Sequence, residues 1–228
     1  MNKTMNHQNQ ANVPSHDDTR HRLIMAGLMA FDQHGFEGAS TRNIAASAGT
    51  NISSIAYHFG SKEKLYLAVA EYIADEIGAM VDELETDIGD DFVLLKEGRL
   101  PRDQAILLLR SLLKNWLADM FLGKEDRQKW SSFLFREQYN PTEAFELLYQ
   151  KGIGRFLEIL AHFFSCIEQK PATDLTVRYH AFSLFGQILA LKIERASVKR
   201  FFGWSAIDKK TLGTLVDVVN CNIASLEH

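Results

Sequence analysis

Apolar residues recur at helical spacing along most of this chain, and no long run alternates between apolar and polar positions as a half-buried strand would. The stripe formed by Leu23, Ala26, Ala30 and Phe31 predicts a first helix over residues 19–34, ended by the glycine that follows. Only 4 prolines interrupt the 228 residues. The pattern therefore predicts an all-α protein.

The segment from Ser40 to Leu65 predicts two short helices around a tight turn, followed by the start of a third helix. Ser40 carries a hydroxyl that can cap the first helix, and Gly49 can adopt the positive φ that ends it. Asn51 and Ser61 are placed to cap the second and third helices. Two helices joined by a short turn with glycine form the helix-turn-helix, whose second helix enters the major groove of DNA.

The rest of the chain predicts one long helix and a bundle of shorter ones. The long helix runs from Lys62 to about Glu85, and a connector rich in Gly and Asp follows over residues 86–101. Residues 196–208 are expected to form an irregular loop. Further helices are predicted near residues 102–122, 125–138, 142–168, 173–195 and 209–226.

These elements divide the chain into three parts. Residues 1–18 are polar and are expected to form a disordered arm. Residues 19–66 are expected to form a three-helix DNA-binding head that contains the helix-turn-helix. The long helix would join this head to residues 67–228, a helical bundle for ligand binding and dimerisation.

The charge distribution changes this picture only slightly. The chain carries a formal net charge of −4, which by itself argues against a nucleic-acid partner. Residues 1–64, however, hold six Lys/Arg and five Asp/Glu, whereas the remainder holds 19 basic and 24 acidic residues. We therefore expect a few specific phosphate contacts in the head rather than strong non-specific binding.

Other kinds of site receive little support. Cys166 and Cys221 lie far apart and without metal-ligand spacing, so we expect two free thiols and neither a metal site nor a cofactor. The N-terminus lacks an apolar signal segment, and the apolar run 105–113 is too short to span a bilayer. These features predict a soluble, cytoplasmic protein without a membrane partner.

The helix-turn-helix segment also carries a specific combined pattern over roughly residues 19–75. The pattern consists of Ser40-Thr41-Arg42-Asn43-Ile44-Ala45, Ala48-Gly49, Tyr57-His58-Phe59 and Ser61-Lys62-Glu63-Lys64-Leu65. It strongly resembles the DNA-binding domain of TetR-family transcriptional regulators. The resemblance implies a homodimer whose two heads bind the half-sites of a pseudo-palindromic operator in double-stranded DNA.

The resemblance implies DNA contacts for eight residues. Phosphate contacts fix the register of a protein on DNA, whereas contacts to base edges specify the sequence. Ile52 has two possible roles, contact with a thymine methyl group or a buried anchor for its helix, and the His58 ring is either a phosphate contact or a packed ring. Phosphate contacts are implied for Thr41, Ser54, Tyr57, His58 and Lys62, and base contacts for Arg42, Ile52 and Ser53.

Looser motifs follow in the C-terminal part. They are Phe135-Arg136-Glu137-Gln138, Asn140-Pro141-Thr142, His180-Ala181, Gly186-Gln187-Ile188-Leu189-Ala190 and Gly203-Trp204. Together they resemble the C-terminal domain of the CecR (YbiH) subfamily.

The predicted helix 173–195 is apolar nearly all round over residues 181–191, so it must be covered on two sides. One side can be the core of its own domain, and the other is expected to be a second subunit. The alternative is a fully internal helix in a monomer. The predicted interface comprises Ser183, Gly186 and Ala190 of this helix and Leu212, Leu215, Val216 and Val219 of the last helix.

Aromatic residues are frequent in the C-terminal part, and an aromatic-lined site with a few polar groups is the usual form of a small-molecule site. For each candidate, a role in the core or on the surface is the competing interpretation. The candidate ligand-binding residues are Trp116, Phe133, Arg136, His162, His180 and Gln187.

These inferences predict a ligand-responsive DNA-binding transcriptional regulator, a homodimeric repressor that a small-molecule effector releases from its operator. The long helix from Lys62 would carry the displacement that separates the two DNA-binding heads when the effector binds. One alternative is a helical-bundle enzyme with a vestigial head, although no nucleophile–base, metal or phosphate-loop motif supports it, and no catalytic residue is assigned. A transcriptional activator is the other, because the sequence does not decide the sign of regulation.

Overall fold

The computed structural model describes residues 16–122, 130–193, 195–204 and 209–224. Within these ranges the chain divides between Val69 and Ala70 into two compact units, here called the N-terminal unit and the C-terminal unit. All regular structure described is helical, which confirms the predicted all-α class. The elements are α1 (His16–Gly38), α2 (Thr41–Ser47), α3 (Ser53–His58), α4 (Lys62–Ile88), α5 (Asp91–Lys96), α6 (Arg102–Leu122), α7 (Ser131–Tyr139), α8 (Glu143–Leu148), a π-helical turn (Tyr149–Ile153), α9 (Gly154–Glu168), α10 (Leu175–Ile193), α11 (Arg195–Phe202) and α12 (Lys209–Ala224).

The N-terminal unit is built around a small apolar core. Leu23 and Phe31 of α1, Ile44 of α2, and Leu65 and Val69 of α4 are each no more than 1% exposed. Their helical spacing places these side chains on the inner faces of their helices. The start of α4 therefore completes the core that α1 and α2 begin.

Helix α1 begins at His16, three residues before the predicted start. Asp17 and Asp18 lie in its first turn, where the helix dipole favours negative charge. Gly35 adopts φ of +70° and interrupts the helical backbone, in agreement with the predicted end of the first helix.

Helix α4 confirms the predicted long helix and continues three residues beyond Glu85. The Ser61 hydroxyl accepts a hydrogen bond from the Lys64 backbone N–H at 3.2 Å, so the predicted cap is confirmed.

Helix α6 contributes a fully buried stripe to the core of the C-terminal unit. Ala105, Leu109, Leu113 and Leu117 follow one another at four-residue spacing and have no exposed surface. Helix α9 packs against both α6 and α10, and α12 also packs against α6. This arrangement gives the helical bundle that the sequence predicts.

The predicted helix 142–168 consists of α8, the π-helical turn and α9. Gly152 in the π-helical turn lies so close to α4 that a Cβ atom there would be 2.5 Å from Ile77 Cγ2. On α4, a Cβ atom at Gly78 would be 3.1 Å from the Lys151 carbonyl oxygen. The two glycines therefore allow the C-terminal part of α4 and the π-helical turn to touch along their backbones.

Ion pairs flank this contact on both sides. Lys151 Nζ lies 2.7 Å from an Asp75 carboxylate oxygen, and Arg155 Nη2 lies 2.7 Å from Asp82 and 2.8 Å from Glu85. The carboxylates hold the pKa of Lys151 above its usual value, chiefly through the Asp75 hydrogen bond. The charges thus align α4 with the π-helical turn and α9.

Two predicted irregular segments contain helices. The predicted connector includes α5, whose Leu95 side chain has no exposed surface. The predicted loop 196–208 includes α11, anchored by the buried Val198 side chain and ended by Gly203 at φ of +68°. Both helices are too short for their apolar spacing to be distinctive, and packing against the rest of the unit fixes them in place.

The corner between α7 and α8 explains one of the looser motifs. The buried Glu137 carboxylate accepts hydrogen bonds from the Thr142 backbone N–H at 3.0 Å and the Thr142 hydroxyl at 2.9 Å. The same hydroxyl caps α8 by accepting from the Ala144 N–H at 3.2 Å.

The predicted helix 125–138 corresponds to α7 in its described part, and residues 125–129 lie outside the described residues.

Candidate nucleic-acid interface

Helices α2 and α3 and the turn between them form a helix-turn-helix. Ile44 and Ala45 of α2 and Ile55 of α3 are buried, which fixes the inner faces of both helices. Gly49 adopts φ of +65° in the turn, and its N–H donates to the Ala46 carbonyl at 3.0 Å. The predicted glycine turn is therefore confirmed, and the outer faces of both helices remain open to solvent.

Of the two predicted helix caps in the helix-turn-helix, the Asn51 cap is present and the Ser40 side-chain cap is not. Ser40 lies at the N-cap of α2, but its side chain makes no capping hydrogen bond in the described structure, so the predicted hydroxyl role is wrong. Its backbone carbonyl instead accepts from the Ile44 N–H at 2.9 Å. Asn51 does cap α3, because its Oδ1 atom accepts from the Ser54 N–H at 3.1 Å.

The hydroxyls at the start of α3 are already hydrogen-bonded in the DNA-free protein. Ser53 Oγ donates to Asn51 Oδ1 at 2.5 Å, and Ser54 Oγ lies 3.1 Å from the same oxygen and 2.7 Å from Thr50 Oγ1. Each hydroxyl has one proton to donate. A DNA acceptor must therefore compete with Asn51 for the protons of Ser53 and Ser54.

Four predicted contact residues, Ser53 among them, have exposed side chains. Arg42 on α2 is exposed, Ile52 directly before α3 is 56% exposed, and Tyr57 on α3 is 76% exposed. A buried anchoring role for Ile52 is therefore wrong, since its side chain does not enter the core. The guanidinium, the phenol and an apolar branched side chain are all accessible to a ligand.

The His58 ring packs among its neighbours. Its centroid lies 5.1 Å from the Tyr57 ring and 6.2 Å from the Phe59 ring. Burial is the largest factor that lowers the pKa of His58, and the nearby charges of His16 and Arg20 lower it further. His58 is therefore a neutral, partly packed ring at neutral pH in the absence of DNA.

Lys62 and Thr41 lie at the starts of their helices. Thr41 is the first residue of α2 and is half-buried. The Lys62 ammonium lies 4.6 Å from the centre of the Phe36 ring and 3.5 Å from the Glu37 carbonyl oxygen. These two contacts offset the unfavourable position of a cation in the first turn of a helix.

The predicted ligand-binding residues fall in several places in the C-terminal unit. Trp116 is half-buried in an aromatic cluster, with its ring centroid 4.5 Å from that of Phe156 and stacked 5.9 Å from that of Phe185. Gln187, two residues further along α10, is half-buried. Phe133 is fully buried, which agrees with a core role.

The polar candidates have partners or neighbours of their own. His180 Nδ1 lies 2.5 Å from the Glu168 carboxylate. Glu168 is the last residue of α9, whereas Phe156 lies near the start of that helix. Burial lowers the pKa of His162, Glu158 opposes this shift, and Lys96 on α5 adds to it. Arg136 in the last turn of α7 is half-buried and engaged with other groups. The structure thus does not bring these polar residues together around Trp116.

The predicted interface residues divide between surface and core. On α10, Ser183 and Ala190 are exposed, and a Cβ atom at Gly186 would meet nothing within 4 Å. On α12, the side chains of Leu212, Leu215 and Val219 are buried against their own unit, and Val216 is partly buried.

Two family models match this chain. A model described as bacterial regulatory proteins of the tetR family matches residues 23–69, and the C-terminal domain of the HTH-type transcriptional dual regulator CecR matches residues 105–227. The chain therefore belongs to the TetR family of transcriptional regulators, with a C-terminal domain of the CecR type. Its families and relatives are transcriptional regulators rather than enzymes, so the enzyme alternative is not supported.

A curated relative is similar over nearly the whole chain. The HTH-type transcriptional dual regulator CecR of Shigella flexneri is 32% identical over 208 residues, which cover 91% of this chain and 90% of that protein. The repressor NicS of Pseudomonas putida is 35% identical over 81 residues, which cover 36% of this chain and 38% of NicS.

Solved structures share the fold. HlyIIR, a hemolysin II transcriptional regulator, matches with a TM-score of 0.61 and 18% identity over 91% of this chain and 98% of its own. AibR in complex with isovaleryl coenzyme A and operator DNA matches with a TM-score of 0.60 and 16% identity over 89% of this chain and 96% of its own.

Sequence reasoning missed three residues at the candidate interface. His16 and Arg20 of α1 lie against the end of α3, and Thr50 bonds the Ser54 hydroxyl. The acidic residues that follow His16 are typical of a first helical turn and could have placed it on α1.

Within the described ranges, no group of His, Cys, Asp and Glu is arranged to hold a metal ion, and none of the helices combines the length and apolarity needed to cross a bilayer.

Proposed function

We propose that this regulator is a homodimer that binds a pseudo-palindromic operator as a repressor and is released by a small-molecule effector. The observation that carries the proposal is the outer face of the helix-turn-helix, where the family pattern coincides with exposed side chains at Arg42, Ile52 and Tyr57. An exposed guanidinium beside exposed aromatic and hydroxyl groups suits contact with both phosphates and base edges.

The proposed DNA contacts divide by chemistry. Arg42 can donate two hydrogen bonds to guanine O6 and N7, and the accessible Ile52 side chain can contact a thymine methyl group. Ser53 is proposed to contact a base edge after it releases Asn51. Phosphate contacts are proposed for Thr41, Ser54, Tyr57, His58 and Lys62.

The proposed dimer interface follows an exposed apolar stripe on α10. Leu175, Tyr179 and Phe182 are 65%, 64% and 61% exposed at spacings of four and three residues, and Ile193 extends the stripe at 38%. Val218, 53% exposed, offers an apolar side chain on α12. A stripe at this spacing fits a second copy of the same helix, as in a two-fold helical interface.

The small residues predicted for the interface support this arrangement. Ser183, Gly186 and Ala190 leave room on α10 for a close approach between helices. Because Leu212, Leu215 and Val219 already fill their own core, we assign α12's contribution to its exposed positions such as Val218.

The effector site is proposed at the aromatic cluster of Trp116, Phe156 and Phe185, where α6, α9 and α10 meet. Trp116 and Phe185 retain accessible surface, whereas Gln187, two residues after Phe185, lies on another side of α10. The effector is expected to carry an apolar or aromatic portion. The structural neighbour AibR was solved with isovaleryl coenzyme A, which gives a fold-level precedent for a small-molecule effector.

The effector acts in this proposal by population shift. A ligand that binds more tightly to a conformation with low operator affinity draws the protein away from DNA, and the coupling is reciprocal. Helix α4 carries the change, because it contains Lys62 at one end and the contacts to the π-helical turn at the other. Activation is the second candidate, favoured by the designation of the Shigella relative as a dual regulator.

Selection from random duplex DNA at a fixed salt concentration tests the proposal. An inverted repeat with half-sites about 10 base pairs apart, or a multiple of this spacing, is the expected product. The selected duplex then serves as the probe in a screen for small molecules that release it, with Trp116 fluorescence as the readout in a Trp130→Phe/Trp204→Phe variant. No enriched sequence, or a single unrepeated half-site, would contradict the proposed dimeric DNA binding.

A further inference from the structure

Two basic side chains of α1 lie against the end of α3. The His16 ring centroid lies 4.4 Å from that of His58 and 5.6 Å from that of Tyr57. One helical turn further, the Arg20 guanidinium carbon lies 5.4 Å from the centre of the Phe59 ring. The beginning of α1 is therefore part of the same surface as the predicted phosphate contacts Tyr57 and His58.

Helical spacing separates these basic side chains from most of the neighbouring acidic residues. His16 and Arg20 are four residues apart and so share one face of α1. Asp18 lies 3.5 Å from Arg22 in an ion pair of its own. Asp17 is 3.7 Å from His16 Nδ1, but its side chain is fully exposed and held only by this long contact. The face that meets α3 therefore carries two basic side chains, although the unit as a whole is nearly neutral.

The His58 ring packs against His16, and its neighbour Phe59 contacts Arg20. Its buried Nδ1 atom has no hydrogen-bonding partner within the described part of the chain. An unmade hydrogen bond at a buried polar atom is costly, and an anion beside the ring would favour a proton there. The contact between α1 and the end of α3 thus combines two basic side chains with an unsatisfied ring nitrogen.

We propose that His16 and Arg20 form, with Tyr57 and His58, an additional binding site for a DNA backbone phosphate. Arg20 donates to the phosphate oxygens through its guanidinium, Tyr57 through its hydroxyl, and His16 through a ring N–H. His58 takes up a proton as the phosphate arrives. The site extends the DNA-binding surface beyond the helix-turn-helix, and it rests on the proposed function.

The proton uptake gives operator binding a defined pH dependence. The groups that face His58 are His16 and Arg20 from α1 and Tyr57 and Phe59 from its own segment. In the free protein, burial and the neighbouring His16 and Arg20 lower the pKa of His58, whereas a bound phosphate opposes that effect. Operator affinity should therefore rise as the pH falls from about 8 to about 6.

The test uses the selected operator and the variants Arg20→Gln and His16→Gln of the full chain. Each variant is expected to weaken binding about three- to tenfold for all sequences alike, and Arg20→Gln should reduce the slope of log affinity against log salt by about 0.9. Arg20→Lys should restore the slope, because it keeps the charge. His58→Gln should remove most of the rise in affinity at low pH.

The matched control is His34→Gln, an exposed histidine on the same helix about 27 Å from His16 at 1.5 Å per residue. It should leave affinity and salt slope unchanged. A loss of affinity in Arg20→Gln with an unchanged salt slope would indicate a packing role against Phe59 and overturn the inference. Affinities and salt slopes equal to those of wild type in both Arg20→Gln and His16→Gln would also overturn it. The proposed function would remain intact in that case if Arg42→Ala still weakened specific binding. Loss of operator binding by the wild type itself would refute the proposed function instead.

Discussion

The two units of this protein place their candidate functional residues in opposite environments. In the N-terminal unit, Arg42, Ile52 and Tyr57 are exposed on the outer face of a motif whose inner face is buried. In the C-terminal unit, Phe133 is fully buried and His180 is paired with Glu168. A motif on the surface keeps its chemistry available, whereas a site inside a bundle shares its residues with the core.

The difference extends to how each site is held. Asn51 and Ser54, three residues apart, organise the start of α3 through local hydrogen bonds. The contact between α4 and the π-helical turn depends instead on residues 76 positions apart, such as Lys151 and Asp75. Substitutions on the outer face of the helix-turn-helix should therefore weaken DNA contacts without unfolding the N-terminal unit. Substitutions at the contact between α4 and the π-helical turn should reduce the stability of the C-terminal unit before they affect function.

The largest expected effect is on the core of the C-terminal unit. Leu113→Ala should lower the free energy of unfolding by about 2–5 kcal/mol, because it leaves a cavity beside a fully buried stripe on α6. Denaturant unfolding monitored by circular dichroism measures this change. Leu107→Ala, at a 65% exposed position of the same helix, is the control and should cost far less. Equal losses for the two variants would contradict the assignment of the core.

The backbone contact of α4 should be nearly as sensitive. Gly152→Ala should destabilise the protein by about 1–3 kcal/mol, because the new methyl group would lie 2.5 Å from Ile77 Cγ2. Gly213→Ala on α12 is the matched control, since a Cβ atom there meets nothing within 4 Å. Thermal unfolding compares the stability of the two variants with that of the wild type. A Gly152→Ala protein as stable as wild type would show that the close approach is not required.

The DNA-binding face should show the reverse behaviour. Arg42→Ala should weaken specific operator binding by about 1–3 kcal/mol through the lost base contact and leave the free energy of unfolding unchanged. Fluorescence anisotropy with the selected operator and a scrambled duplex measures the effect. Lys64→Ala, which removes an exposed charge from the start of α4, should change specific and non-specific binding equally. Unchanged discrimination between the duplexes in Arg42→Ala would exclude base contact by this residue.

The smallest effect concerns His162. Burial lowers its pKa in the folded protein, so the unfolded chain binds more protons as the pH falls below 6.5. The stability that the neutral ring provides is therefore complete above this pH and is lost as the pH falls towards the folded-state pKa. Urea unfolding at about pH 7.5 and about pH 5.5 should show a smaller loss for His162→Gln than for wild type. Parallel losses in the two proteins would contradict the role of this ring.

Sequence patterns predicted what local rules determine. The helix-turn-helix, its glycine turn and the Asn51 cap follow from residues within a few positions of one another, and the bounds of α6 agree with the predicted 102–122. The α11 helix was missed because Val198 fixes it through a single buried side chain. No pattern in the sequence could place Trp116 against Phe185, since only packing between α6 and α10 brings the two rings together.

The same distinction applies to the interfaces. Helical spacing identified α10 and α12 as partly apolar helices, but it could not tell which apolar side of α12 faces its own core. Leu212 and Val219 turn inward, whereas Val218 is exposed. His16 was assigned to the arm because its role depends on the tertiary contact with His58.

The most direct test of the account separates pairing from DNA contact in one experiment. Sedimentation and operator titration are measured together for wild type, Phe182→Asp on the α10 stripe and Arg42→Ala on α2. The account predicts that Phe182→Asp becomes monomeric and loses operator affinity as a consequence, whereas Arg42→Ala stays dimeric and loses only specific binding. A monomeric Phe182→Asp protein that binds the inverted repeat as tightly as wild type would contradict the account.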